Sequence, residues 1–369
     1  MTFNYEHDGQ TIPEDTKILK CARTITSLSK LPEGLEKLYC NFTGIISLPD
    51  LPDSLKVLNC TCNQITVLPE LPDGLEELDC SVNRITHLPK LPDSLENLNC
   101  SCNQITNLPE FPDSLEHLRC HYLPINVLPE LPENLITLIC GNSNLTVIPT
   151  LPDDLEMLFC WNSQITNLPE LPVSLRTLYC SNTQITNLQN LPDGLMELDC
   201  IDTQIANVDK LPTDLTYLQC CFTGITNLPE LPIGLKRLYC TAYSSVSLPK
   251  LPAGLEILDC PFALITNLPE LPVGLKSLCC AGTILSDLPD LVKTYLHQRK
   301  YKKYNHWLSN IKMAQCVYKV KILRKKQIIH KRQKMGAVIA KWIYERGSRP
   351  GKIFARMAER RFKERLNKN

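Results

Sequence analysis

From Leu31 to Asp290 the apolar positions of this chain recur every 20 residues without insertion or deletion, giving thirteen units. A representative unit is Leu91-Pro-Asp-Ser-Leu-Glu-Asn-Leu-Asn-Cys-Ser-Cys-Asn-Gln-Ile-Thr-Asn-Leu-Pro-Glu110. Numbered from its first residue, every unit has Leu at positions 5 and 8 and Cys at position 10. Position 15 is Ile or Leu except at Ser245, and position 18 is Leu, Ile or Val. Such spacing fits neither a long helix nor a long strand. It predicts a short strand that places positions 8 and 10 inward and then bends into a turn. No unit can bury its own apolar residues, so the units must stack, and the stacked strands form a parallel sheet. Strands about 4.8 Å apart make thirteen units an arc on the order of 60 Å long.

The prolines describe the other side of each coil. Position 2 is Pro in all thirteen units and position 19 in eleven, the exceptions being Gln189 and Asp209. A Leu-Pro-x-Leu-Pro segment cannot be an ordinary helix, because each Pro lacks a donor and disfavours helix in the residue before it. A polyproline-II-like convex side is expected, with turns such as Pro72-Asp73-Gly74 leading into the strands.

These columns resemble the leucine-rich-repeat family, whose pattern L-x-x-L-x-L-x-x-N-x-L reads here as Leu95, Leu98, Cys100, Asn103 and Ile105. The 20-residue length and the Leu-Pro-x-Leu-Pro linker look like the short repeats of bacterial effectors. Cys in the third column, with Ile-Thr after the Asn, looks like repeat proteins of giant DNA viruses of amoebae. The resemblance covers 31–290, with a fainter partial unit at Ile18–Lys30 inside an N-terminal segment 1–30. Asn fills its column only at Asn63, Asn83 and Asn103; most later units carry Ser or Thr, and Leu123, Tyr243 and Ala263 break the column. A hydroxyl reproduces part of what Asn does between adjacent turns, so looser middle and C-terminal coils are expected. With some 17 residues ahead of the partial unit, the N-terminal end of the core looks thinly protected.

If positions 8 and 10 face inward, positions 7, 9 and 11 form the concave face, where residues vary while the core columns stay fixed. His117, Arg119, His121 and Tyr122 lie near Met157, Phe159, Trp161 and Tyr179, with Tyr217 and Tyr239 further along. Aromatic and Arg side chains on an exposed sheet face are typical of protein-binding hot spots; scattered exposed aromatics are the plainer alternative. A protein partner on this face is the expected function. His117 and His121 have no third ligand in view, so no metal and no cofactor is expected.

Formal charge adds a second feature. The chain is neutral overall, but 291–369 hold 24 Lys or Arg against three acids, while 1–290 hold 15 basic and 36 acidic residues. The repeat stops after Asp290, and apolar spacing at Trp307, Leu308, Ile311, Val338, Ile339 and Trp342 predicts a basic helical tail. Its clusters Arg324-Lys325-Lys326 and Lys331-Arg332-Gln333-Lys334 suit nucleic acid or an acidic surface. A clamp against the acidic solenoid, or a plain cap with a solvated tail, are the other readings. A calmodulin-like partner is a further one, since Ala314-Gln315, Lys319 and Arg324 resemble a degenerate IQ motif.

The start of the chain is polar and acidic, unlike a secretory signal, and no run is long and apolar enough for a membrane span. With nineteen cysteines this points to a reducing compartment, so a cytoplasmic monomer is expected, in a host cytosol if the protein is viral or an effector. Thirteen of those cysteines occupy the inward column, where Cys packs as a small apolar residue. Some bacterial effectors with such repeats carry a ubiquitin-ligase domain with a nucleophilic Cys. Here the tail is 79 residues, and its one Cys, Cys316, is followed by Val-Tyr. The expectation is a non-enzymatic binding module, with a target-selecting adaptor of a ubiquitin-ligase system as the alternative.

Overall fold

The computed structural model describes residues 1–241, 248–260 and 268–279. They form one parallel sheet of fifteen strands in which sequence neighbours are spatial neighbours throughout. The strands run from β1 (Thr2–Tyr5) and β2 (Ile18–Cys21) through β3 (Lys37–Tyr39) to β15 (Ser277–Cys279). From β3 onward each strand is three residues, positions 7–9, and pairs in register with the residue 20 further on, as in Lys37↔Val57 and Leu38↔Leu58. The expected stack of 20-residue coils is what the chain forms.

Each coil is built the same way. Position 5 donates its N–H to the Pro carbonyl of position 2, as Leu55 does to Pro52 at 3.0 Å, which closes the turn leading into the strand. The ladder extends beyond the strands: Lys56 N–H donates to Glu36 O at 2.8 Å, Cys60 to Asp79 at 2.9 Å, and Cys62 to Ser81 at 3.0 Å. Leu at positions 5 and 8, Cys at 10 and Ile or Leu at 15 are fully buried through most of the stack. Each buried aliphatic side chain contributes about 1.5–3 kcal/mol relative to exposure. From Cys40 to Cys260 the described inward cysteines are buried and form no disulfide. Burial pushes Cys100 and Cys140 up to about 12. The Pro-containing linkers carry neither helix nor strand.

The N-terminal end departs from expectation. The partial unit supplies β2, with Leu19 and Ile25 fully buried, but an additional strand, β1, pairs with it in parallel. Tyr5 is fully buried, and its hydroxyl accepts the Gly9 N–H at 3.0 Å. The Asp8 carboxylate accepts the N–H groups of Thr26 and Ser27 at 2.9 and 3.2 Å and also the Thr26 hydroxyl. A single Tyr with an Asp-centred turn thus covers the end of the core. Isolated apolar residues outside the period gave no sign of it.

Position 12 is unusual. In ten successive coils, from Phe42 through Cys62, Val82 and Tyr122 to Phe222, it has φ between 51° and 59°, and none of the ten is Gly. The left-handed turn lets the N–H of position 12 reach position 11 of the next coil, as Val82 reaches Ser101 at 2.9 Å. Asn and Asp tolerate this region at little cost, whereas a β-branched residue such as Val82 is strained in it.

Candidate partner-binding face

Side chains at positions 7, 9 and 11 stand on the open face of the sheet, between the buried columns. β7 (His117–Arg119), β9 (Met157–Phe159), β10 (Thr177–Tyr179), β12 (Tyr217–Gln219) and β13 (Arg237–Tyr239), with the residues just after β7 and β9, supply the candidates expected from the sequence, and β11 (Glu197–Asp199) lies between β10 and β12. Seven of these candidates join in one track of ring contacts. Tyr122 meets His121 at 5.6 Å between centroids, and His121 meets Trp161 at 6.2 Å. Trp161 stands edge-on to Phe159 at 5.8 Å, and Phe159 edge-on to Tyr179 at 4.8 Å. Tyr179 stacks near Tyr217 at 6.4 Å, and Tyr217 meets Tyr239 at 5.7 Å. Edge-to-face and offset pairs of this kind add about 0.5–1.5 kcal/mol each beyond area burial. The track is therefore held in shape before any partner arrives.

His117, Arg119 and Met157 lie beside the track on β7 and β9. Arg119 is exposed, and the Met157 sulfur accepts the Thr137 hydroxyl at 3.9 Å. The His121 ring nitrogen Nδ1 is 2.8 Å from the Ser101 hydroxyl. Burial, and secondarily Arg119, lowers the His121 pKa, which favours the neutral ring.

Three parts of the site were not picked out from sequence. First, the coil between β7 and β9 contributes no ring, yet the track crosses it because position 11 there is Gly141. A Cβ on Gly141 would lie 2.7 Å from both the Trp161 ring carbon Cδ2 and the Trp161 carbonyl oxygen, so only Gly lets the indole lie across this coil. Second, a polar brace runs under the tyrosines. The Tyr179 hydroxyl donates to Glu197 Oε2 at 2.6 Å, Arg237 Nη2 pairs with Glu197 Oε1 at 3.3 Å, and the Arg237 guanidinium lies 4.6 Å from the Tyr217 ring centroid. Third, Asp199 stands in register between Tyr179 and Gln219, and burial pushes its carboxyl up to about 6. The usable signal was the position-7 row Glu197, Tyr217, Arg237, which places opposite charges around one ring.

Among the described residues, no group of three or more His, Cys, Asp or Glu side chains is placed to hold a metal. No helix among them is long and apolar enough to cross a membrane. The basic clusters Arg324, Lys325, Lys326, Lys331, Arg332 and Lys334, the boundary at 290/291 and Cys316 lie outside the described residues.

A stack of 20-residue coils with a parallel sheet on one side and Pro-backed linkers on the other is a leucine-rich-repeat solenoid. The chain is a leucine-rich-repeat protein of the short 20-residue class, with coils similar to those of bacterial effectors. Among solved structures it is similar to YopM from Yersinia enterocolitica WA-314, at 34% identity and a TM-score of 0.72, over 76% of this chain and 64% of that one. The chain thus spans slightly less than two thirds of that relative. It is also similar to the leucine-rich effector YopM from Yersinia pestis, at 29% identity and a TM-score of 0.67, over 75% and 86% of the two chains. The functional domain of InlJ from Listeria monocytogenes, described as including a cysteine ladder, matches at 26% identity and a TM-score of 0.64, over 73% and 64%. No protein-family model and no curated protein matches the sequence.

Proposed function

We propose that this chain is a non-enzymatic protein-interaction module that holds a protein partner on the open face of its sheet, along the ring track from Tyr122 to Tyr239. The observation that carries the reading is the continuity of that track: seven rings from five different coils in successive contact. Scattered tolerated aromatics have no reason to touch one another across a glycine gap. The similarity to leucine-rich effector proteins supports an interaction role. Rigid aromatic side chains supply large contact area at small entropic cost, which suits a binding centre.

The test is the double substitution Phe159→Ala with Trp161→Ala in the full-length protein. Both side chains stand on the open face, outside the buried columns. The expected outcome is at least about a tenfold loss of affinity for a partner purified on the wild-type protein, with the unfolding midpoint lowered by no more than the lost ring–ring contacts. Unchanged affinity would place the partner elsewhere on the molecule.

A further inference from the structure

At position 9 an Asn or Asp recurs, and its Oδ1 accepts the backbone N–H two residues on. Asn59 takes it from Thr61 at 3.2 Å, Asp79 from Ser81 at 3.0 Å, Asn99 from Ser101 at 3.3 Å and Asp199 from Ile201 at 3.0 Å. Asn59 and Asn99 hold this turn without a charge, so the turn does not call for a carboxylate. Asp79 has a use for its charge, because the same oxygen also accepts the Ser81 hydroxyl at 2.6 Å. Asp199 has Ile201 where Asp79 has Ser81, and so lacks that second donor. It nevertheless occupies a half-buried setting among Tyr179, Tyr217 and Gln219. The guanidinium on this part of the face, Arg237, pairs with Glu197 and lies on Tyr217. No ion pair to Asp199 exists among the described residues.

We infer that Asp199, together with the rings of Tyr179, Tyr217 and Tyr239, is a subsite for a lysine or arginine side chain of the protein partner. This rests on the open-face reading above. Ring faces attract cations, and Arg237 over Tyr217 shows that these rings accept one. A desolvated carboxylate without a counter-charge gains most from a cation brought by a ligand. Charge complementarity runs the same way, since residues 1–290 carry 36 acidic and 15 basic residues. The geometry sets a spacing as well. Asp199 lies two strands from Phe159 in the same row, or about 10 Å. An extended peptide crossing the strands covers that in about three residues. The partner segment therefore carries an aromatic or aliphatic side chain for the Phe159–Trp161 end, and a basic one about three residues away.

The experiment is selection of a random 12-residue phage-displayed peptide library on three immobilised full-length proteins: wild type, Asp199→Asn, and Phe159→Ala with Trp161→Ala. Asn keeps the acceptor for Ile201, as Asn59 and Asn99 do for their coils, so Asp199→Asn should fold normally; a thermal melt checks this. Wild type should enrich peptides with Lys or Arg about three residues from an apolar side chain. Asp199→Asn should still enrich the apolar residue but not the basic one. A wild-type-selected peptide should bind Asp199→Asn on the order of tenfold more weakly, and its Lys or Arg→norleucine version should bind both proteins equally. Basic enrichment that persists in Asp199→Asn, or its absence from the wild-type selection, overturns the subsite while leaving the open-face reading intact. Peptides that bind the double variant as well as wild type, or no enrichment at all, overturn the open-face reading and the subsite with it.

Discussion

Coils with Asn at position 13 and coils with Ser or Thr there share one backbone path but are fastened to their neighbours differently. Asn83 Nδ2 donates to Cys80 O of its own coil at 3.0 Å and to Cys60 O of the preceding coil at 2.9 Å, while its Oδ1 accepts the Ile65 N–H at 3.0 Å. Asn103 repeats the arrangement on Cys100, Cys80 and Ile85. In the later coils Ser143, Ser163, Thr183, Thr203 and Thr223 donate only to the Cys of their own coil, at 2.7–2.9 Å. In these coils the hydroxyl stops at its own coil, whereas Thr43 reaches the next one only because the longer Asn63 side chain meets it, at 2.7 Å. Leu123, buried and apolar, marks the change of regime. The open face changes at the same place: Asn59, Asp79 and Asn99 spend their oxygens on their own turns, whereas the rings from His121 onward touch one another. Coils with the strongest fastening thus present the least adhesive surface, and the hydroxyl coils carry the candidate site.

The sharpest way to break this comparison is to remove each fastener. Asn83→Ala deletes four hydrogen bonds, including a longer one to Ser81 O at 3.2 Å, and leaves buried groups on two coils without partners, which should cost about 2–4 kcal/mol. Thr203→Ala deletes one bond, to Cys200 O at 2.9 Å, and should cost about 1 kcal/mol. Urea unfolding of the full chain measures both. Equal costs would mean that the bridge between coils adds nothing to the bond within one. Asn83→Thr should fall between them.

A second test belongs to the aromatic region. Gly141→Ala sets a methyl 2.7 Å from both the Trp161 ring and its carbonyl oxygen, so the indole and the backbone must both shift. The expected cost is about 1–3 kcal/mol, with a change in Trp161 fluorescence. The equivalent change at Gly254, where the nearest atom is a carbonyl oxygen at 3.7 Å, should leave stability within about 0.5 kcal/mol. If both glycines tolerate Ala equally, the indole does not need that gap.

Asp199 gives the aromatic coils a pH dependence. Burial raises its folded pKa to about 6 from 3.8. The folded state therefore holds the proton more tightly than the unfolded chain, and stability falls as pH rises from about 4 to 6. Asp259, also raised to about 6 by burial, acts in the same direction. Asp199→Asn should flatten its part of that slope and leave the protein more stable at pH 7.5, by on the order of 1–2 kcal/mol. A loss of stability at pH 7.5 would show that the charge serves the fold.

The fold was readable from sequence because every core contact repeats at 20 residues, so five columns identify the coil, its inward strand and its Pro-backed linker. Apart from Tyr122 at position 12, the ring candidates were readable for the same reason, since columns 7, 9 and 11 follow once 8 and 10 are placed. What escaped were interactions set by lateral neighbours rather than by the column. The Tyr179–Glu197–Arg237 brace links residues 18 and 40 apart, and Gly141 matters only because a Trp stands one coil further on. β1 lies outside the period altogether. The left-handed turn at position 12 was only half legible: Asn142, Asn162 and Asn182 signal positive φ, but Phe42, Cys62 and Val82 in the same column do not.

That last column yields the smallest effect and the cleanest contrast between the two regions. Val82 has φ of 54° in an Asn-fastened coil, while Asn142, Asn162 and Asn182 hold φ of 51–54° in the hydroxyl coils. A β-branched residue in the left-handed region costs about 1–2 kcal/mol, and Val82 recovers little of it by burial because it is 45% exposed. Val82→Asn should therefore raise stability by about 1 kcal/mol, seen as a higher urea midpoint with an unchanged slope. Val82→Gly relieves the same strain but loosens the unfolded chain, so its gain should be smaller. If Gly stabilises more than Asn, relief of side-chain crowding rather than local hydrogen bonding governs the turn; if neither stabilises, the column is unstrained and the rigidity of the Asn-fastened coils carries no hidden cost.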